Sequence, residues 1–203
     1  MSENAKASSV NRAKLYQLVL FPLNNGATNV YYVLVLSYIA TFGSNVLALG
    51  TLFASAMVTA MRLCDAITDP IIGALMDRTN GKFGKFRPFM AIGNLIMAVS
   101  ILVLYGITPT IPDTMMWARY AAFVGLYFVW VIGYTFQTSC TRSGQTVTDQ
   151  RPQAAPAVHD LLTQFGSLLG MGVMQFLAPI LAKNYEGGYS SAGFFRTLAP
   201  WAL

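Results

Sequence analysis

Residues 45–76 read NVLALGTLFASAMVTAMRLCDAITDPIIGALM. The segment is apolar for most of its length, yet it carries Arg62, Asp65 and Asp69 near its centre. A helix that crosses a bilayer needs about 20 mostly apolar residues, and an ionised side chain at the bilayer centre costs at least about 2.5 kcal/mol. The segment therefore predicts a membrane-spanning helix whose charged side chains face a bundle interior or a watery cavity.

Long uncharged segments also make up most of the remaining chain. Of the 203 residues, 55% are hydrophobic and 10% are charged, against roughly 25% charged in an ordinary soluble domain. This composition excludes a disordered chain, a nucleic-acid-binding domain and a secreted disulfide scaffold. We predict an all-α, multi-pass transmembrane bundle. Its predicted parts are a cytoplasmic segment at 1–14 and a bundle at 15–203, with spans at about 15–42, 45–76, 88–107, 114–140, 157–182 and, incomplete, 190–203.

The basic residues predict the orientation of the bundle. Nine Lys and Arg residues lie on the side of the amino terminus, and at most three lie on the other side. Because basic residues are enriched in cytoplasmic loops, the amino terminus and the loop at 77–87 are predicted to be cytoplasmic, in the cell (inner) membrane. On the fifth span, Gly166 and Gly170 form a GxxxG pattern that is typical of close helix packing.

The charged cluster on the second span predicts a cation site. Asp65 and Asp69 are four residues apart and share one helix face with Arg62. Arg62 can neutralise one carboxylate, and the other then needs a proton or a bound cation. With Thr68, and with Pro70 as a kink, the two aspartates offer oxygen ligands for a small hard cation such as sodium. The alternative is a charge cluster that only holds helices together.

Polar residues at helical spacing on two other spans predict a substrate pocket. Amide and hydroxyl groups of this kind suit a polyhydroxylated ligand, although such residues can also serve only to join helices. Arg142 is interpreted mainly as a topology or gating charge. The face on the first span comprises Asn25, Thr28, Asn29 and Tyr32, and the face on the fourth comprises Thr135, Thr138 and Arg142, with Tyr134 and Gln137 adjacent.

The loop after the second span predicts a gate. Asp77 and Arg78 close the span, and a turn of glycines and cations leads through Lys85 and Arg87 into the third span. Asp77 can pair with basic side chains or a helix amino terminus across the loop, which would latch one conformation of a rocking bundle. The alternative is a loop whose charges only set topology.

The motif Asp65-Ala-Ile-Thr-Asp69-Pro70-Ile-Ile-Gly73, followed by Gly84-Lys85-Phe86-Arg87-Pro88, resembles the glycoside–pentoside–hexuronide:cation symporters, the melibiose-permease family of the major facilitator superfamily. The resemblance implies twelve helices in two six-helix halves and alternating access. Sodium, lithium or protons would drive uptake of a sugar or glycoside. This chain would be the amino-terminal half with its sixth helix truncated. The implied partners are the substrate, the coupling cation, the bilayer and the carboxy-terminal half, without a cofactor or nucleic acid.

The resemblance also implies roles for individual residues. Asp65 and Asp69 match the cation-site aspartates, Thr68 replaces an asparagine between them, and Thr135 matches the cation-site threonine. Tyr134 matches a sugar-contacting tyrosine. Two sugar-binding aspartates are missing, since residues 24–29 read NNGATN and Thr138 occupies the second position, so melibiose itself is not the expected substrate.

Other functions are weighed against symport. A membrane prenyltransferase is disfavoured because Met61 occupies the position of its motif asparagine and no second Asp-rich motif follows; we therefore predict no enzyme activity. Two alternatives stay open, namely a proton-coupled or uncoupled transporter of a non-sugar solute and a non-transporting membrane scaffold.

Overall fold

The structure is a computed structural model that describes residues 15–79, 86–148 and 155–201, and these ranges contain helices and turns but no β-strand. Short π- and 3-10-helical segments connect or extend the main helices. The main helices are α1 (Leu15–Thr41), α2 (Thr51–Arg78), α3 (Arg87–Leu102), α4 (Met116–Thr148), α5 (Ala155–Ala182) and α6 (Ala192–Trp201).

Four helical segments in the described part of the chain are long and apolar enough to cross a membrane. They are residues 51–78, 88–110, 113–141 and 164–182. Helix α1 has 27 residues, which is also sufficient length to cross a bilayer. The predicted all-α, multi-pass fold is confirmed. The predicted segment at 1–14 lies outside the described residues, so that boundary stays a prediction.

The second helix begins later than the predicted residue 45. Helix α1 continues as a π-helical turn over Phe42–Val46, and the chain then reverses through Ala48 and Gly50, whose φ angles are 56° and 85°. A helix cannot continue through left-handed backbone, and Gly50 adopts it without a Cβ clash. Helix α2 therefore starts at Thr51.

Glycine contacts hold α1 against α5, which is the most extensive helix pair. A Cβ atom added at Gly26 would lie 2.8 Å from the carbonyl oxygen of Gly166, and one added at Gly170 would overlap the carbonyl oxygen of Gly26. The two backbones therefore touch directly, which increases van der Waals contact between membrane helices. The close packing predicted for Gly166 and Gly170 is confirmed.

A second glycine contact joins α3 to α4, the next most extensive pair. A Cβ atom at Gly93 would lie 2.9 Å from the carbonyl oxygen of Gly133, and one at Gly133 would lie 3.0 Å from the carbonyl oxygen of Gly93. Helix α2 packs mainly on α4, while α1 touches α4 much less than it touches α5. The bundle thus contains two close helix pairs, with α2 beside the seam between them.

Candidate functional site

The predicted cation-site residues lie at the middle of α2. Helix α2 has 28 residues, and at about 1.5 Å of rise per residue Asp65 lies roughly 20 Å from either end. Asp65, Thr68 and Asp69 are all half-buried. A polar site at this depth is far from both ends of a membrane-spanning helix, and water is plentiful only near those ends.

Helix α4 brings Thr135 to this part of α2. Its Oγ1 lies 3.3 Å from Oδ1 of Asp65 and 3.4 Å from Oγ1 of Thr68. The Thr135 hydroxyl is buried and can alternatively donate to its own helix, at the carbonyl oxygen of Val131, 3.0 Å away. Thr68 can donate to the backbone oxygen of Asp65 at 3.3 Å. Three of the four predicted cation-site side chains therefore form one cluster of oxygen atoms.

The fourth predicted residue, Asp69, lies one turn further along α2. Coulombic repulsion from Asp69 and attraction from Arg62 both act on Asp65. Pro70 has no backbone N–H, so the carbonyl group of Ala66 loses its usual helical donor at the same level. Within the described residues, no three His, Cys, Asp or Glu side chains come together as a metal site.

Arg62 contacts an aromatic ring on a neighbouring helix. Its guanidinium carbon lies 5.4 Å from the centre of the Tyr32 ring on α1, a distance typical of a cation–π contact. The Tyr32 ring is 5.2 Å from that of Tyr134, and Tyr134 stacks on buried Trp130 at 5.4 Å. The rings of Tyr32 and Tyr134 are half-buried, so both present a surface to a ligand.

The other predicted substrate residues differ in exposure. Thr28 is 4% exposed, and its hydroxyl accepts a hydrogen bond of 3.2 Å from Nε2 of Gln137. Asn29 is half-buried. Thr138 is half-buried, and its hydroxyl is within hydrogen-bond distance of the Tyr134 and Thr135 carbonyl oxygens of its own helix. The Asn25 side chain lies outside the described residues.

The predicted gating residues are described only in part. Asp77 and Arg78 are exposed at the end of α2. Lys85 lies outside the described ranges, and so do the side chains of Arg87 and Arg142, although both residues belong to helices. The role of the loop at 77–87 therefore stays a prediction.

Two polar residues join elements in ways that sequence spacing did not predict. Gln137 bonds Thr28 across helices, whereas the sequence indicated only that Gln137 lies beside the polar face of the fourth span. Arg119 lies near the start of α4. It is 7% exposed, contacts Asp113 at 2.6 Å, and donates to the backbone oxygens of Ile111 and Leu47 at 2.6–3.3 Å. It thereby joins the α1–α2 connection to the residues that precede α4.

The chain resembles known transport proteins. The model of a family described as MFS/sugar transport protein matches residues 21–202. The uncharacterized symporter YnaJ of Bacillus subtilis (strain 168) is 31% identical over 206 residues, which cover 98% of this chain and 41% of the relative. The putative glycoside/cation symporter YagG of Escherichia coli (strain K12) is 29% identical, covering 85% of this chain and 35% of the relative. A lactose permease of Leuconostoc lactis is 29% identical, covering 47% of this chain and 16% of the relative.

These matches confirm the resemblance to sugar–cation symporters of the major facilitator superfamily. The chain spans about two fifths of YnaJ and a smaller share of the other two relatives. It belongs to the MFS/sugar transport protein family.

Proposed function

We propose that the protein takes part in cation-coupled symport of a sugar or glycoside. The observation that carries the proposal is the oxygen cluster that Asp65, Thr68 and Thr135 form between α2 and α4. The names of the relatives agree with it, because YagG is called a putative glycoside/cation symporter and the Leuconostoc relative a lactose permease.

The spacing of the oxygen atoms suits a shared cation. Two ligands that lie about 2.4 Å from one ion, at right angles, are about 3.4 Å apart. The Thr135 oxygen lies 3.3 Å from Asp65 Oδ1 and 3.4 Å from Thr68 Oγ1. Hydrogen bonds between oxygen atoms are normally shorter, at about 2.7–2.8 Å. The cluster is therefore loose for direct hydrogen bonding and well spaced for a sodium-sized ion, with Asp69 supplying further negative charge. A proton on Asp65 or Asp69 would neutralise the same site.

The substrate is proposed to bind beside the cation. Tyr32 and Tyr134 offer half-buried aromatic faces, Arg62 lies over Tyr32, and Asn29 supplies an amide on the same helix. Aromatic faces suit the apolar faces of sugar rings, while amide and guanidinium groups suit their hydroxyls. Thr135 follows Tyr134 directly, so a ligand on the tyrosine ring and a cation on the threonine oxygen would act on one turn of α4.

Coupling then follows from the position of the cation between two helices. A bound cation would draw α2 and α4 together through Asp65 and Thr135, and so shape the neighbouring pocket. We propose that substrate binding next permits this bundle to rock against the remaining part of a full-length transporter. The loop at 77–87 would control closure on the cytoplasmic side of the inner membrane, an orientation supported by the distribution of basic residues.

The test is uptake of labelled glycosides, pentosides and hexuronides by cells that express the native gene, with and without sodium at fixed pH. We expect sodium to stimulate uptake of one class, and Asp69→Asn to abolish accumulation. Thr135→Val should raise the half-activating sodium concentration by about tenfold, since it removes one ligand oxygen. Thr59→Val is the matched control, because the Thr59 hydroxyl is exposed on α2 and contacts only its own helix.

Several outcomes would change the proposal. Uptake that does not depend on sodium but is abolished by a protonophore would assign coupling to protons at the same aspartates. Full accumulation by the Asp69→Asn variant would refute the cation site. Absence of uptake for every sugar class would favour a non-sugar solute or a non-transporting scaffold.

A further inference from the structure

One hydrogen bond joins α1 to α4 deep inside the bundle. Nε2 of Gln137 donates to Oγ1 of Thr28 over 3.2 Å, and the two residues are 0% and 4% exposed. Both partners lie near the middle of long helices, where water does not reach them. Removing either partner therefore leaves the other buried polar group without this bond, which costs more than the bond itself contributes.

The bond lies next to the proposed substrate site. Tyr32 lies one helical turn after Thr28 on α1, and Tyr134 lies about one turn before Gln137 on the antiparallel helix α4. The rings of Tyr32 and Tyr134 meet at 5.2 Å. Helices α1 and α4 approach each other at few places, so the hydrogen bond and this ring pair contribute directly to the register between the two helices.

We propose that Gln137 and Thr28 are positioning residues that set the register of α1 against α4 and thereby hold Tyr32 against Tyr134. This inference rests on the proposed function of those tyrosines as a sugar surface. It changes the predicted role of Thr28, whose hydroxyl serves the contact between helices, so that Asn29 and Tyr32 carry the contacts of α1 with the substrate.

The cation site should respond differently from the substrate site. Its oxygen cluster joins α4 to α2 through Thr135 and Asp65, and α2 packs more extensively on α4 than α1 does. A change in the α1–α4 register should therefore weaken substrate binding while it leaves the cation requirement nearly unchanged. A general loss of folding would instead reduce the amount of active protein, and hence the maximal rate.

The test compares variants of the full-length native gene product for substrate KM, maximal rate and half-activating sodium concentration. Gln137→Leu and Thr28→Val should each raise KM for the transported sugar about three- to tenfold, the value expected for one lost hydrogen bond. The double variant should be no worse than either single variant, because both remove the same bond. Thr28→Ser keeps the hydroxyl and should retain the parent KM. Thr141→Val is the matched control, since the buried Thr141 hydroxyl donates only to the Gln137 carbonyl oxygen of its own helix.

Hydrogen–deuterium exchange of α1 in detergent provides a second readout that needs no substrate. Amides at residues 26–36 should exchange faster in Gln137→Leu and Thr28→Val than in Thr141→Val. Three results would each overturn the positioning role. They are effects on KM that multiply in the double variant, an unchanged KM in the single variants, and equal exchange in all three variants. If α1 exchanges faster in Gln137→Leu and Thr28→Val but the protein transports no sugar, the role of the bond in the helix register is supported and only the proposed function is refuted.

Discussion

A methyl group added at Gly170 tests the direct backbone contact between α1 and α5. The new Cβ atom would overlap the carbonyl oxygen of Gly26 and lie 2.8 Å from its carbonyl carbon, where ordinary contact begins at 3.4 Å. The helices must therefore separate by at least about 0.6 Å, and gaps of 0.5–1 Å already forfeit a quarter to a half of the dispersion energy between facing atoms. Overpacking of this kind costs roughly 1–3 kcal/mol.

Gly172 provides a control on the same helix. No atom lies within 4 Å of a Cβ built there, so Gly172→Ala should be neutral or stabilise by up to about 1 kcal/mol through helix propensity. Both variants gain the same helix propensity from the added methyl group, so the difference between their unfolding midpoints isolates the contact with Gly26. We expect Gly170→Ala to unfold at a lower midpoint than Gly172→Ala in thermal denaturation of purified protein in detergent. Equal midpoints for the two variants would refute the direct contact.

Three further substitutions and one chemical modification test other parts of the bundle. Ala48→Gly should stabilise the protein by about 0.5–1 kcal/mol in thermal unfolding, because left-handed backbone strains a residue that has a Cβ atom; a loss of stability would contradict that conformation. Arg119→Leu should lower the free energy of unfolding in detergent by about 2–4 kcal/mol, since it removes a buried guanidinium. Asp113→Asn should change the same free energy by less than about 1 kcal/mol, because the Asp113 side chain is 87% exposed. N-ethylmaleimide should modify half-buried Cys64 before buried Cys140, as peptide mass spectrometry would report; labelling in the reverse order would contradict the burial.

The sequence predicted features that depend on spacing within one helix. Apolar length predicted the helices, and the interval of four residues placed Asp65 and Asp69 on one face of α2. The GxxxG pattern predicted close packing of α5, although it could not identify Gly26 as the opposing residue. Which glycine lies opposite is decided by the tilt and offset of two helices, and those quantities are not written in the spacing along either helix.

Contacts between helices escaped prediction for the same physical reason. Gln137 and Thr28 are separated by 109 residues, and their bond depends on the register that the whole bundle imposes. Arg62 was expected to neutralise an aspartate on its own helix, because helical spacing brings them close. Helical spacing did not show that its side chain also lies over Tyr32 on α1, a partner that becomes available only after α1 has packed beside α2.

The placement of the proposed site on a seam explains how binding energy could be transmitted to the bundle. Direct glycine contacts make the α1–α5 and α3–α4 pairs close-packed, and such contacts do not deform gradually. Direct contact between the two pairs is less extensive, because α1 approaches α4 at few places. One contact that crosses between the pairs is the 3.2 Å bond from Gln137 to Thr28. A ligand shifts an equilibrium only through contacts that differ between the two states. A sugar between α1 and α4 would add its contacts across the seam, and a cation would add its contacts between α4 and the neighbouring α2. Both would therefore change how the helices beside the seam sit against each other while leaving each close pair intact.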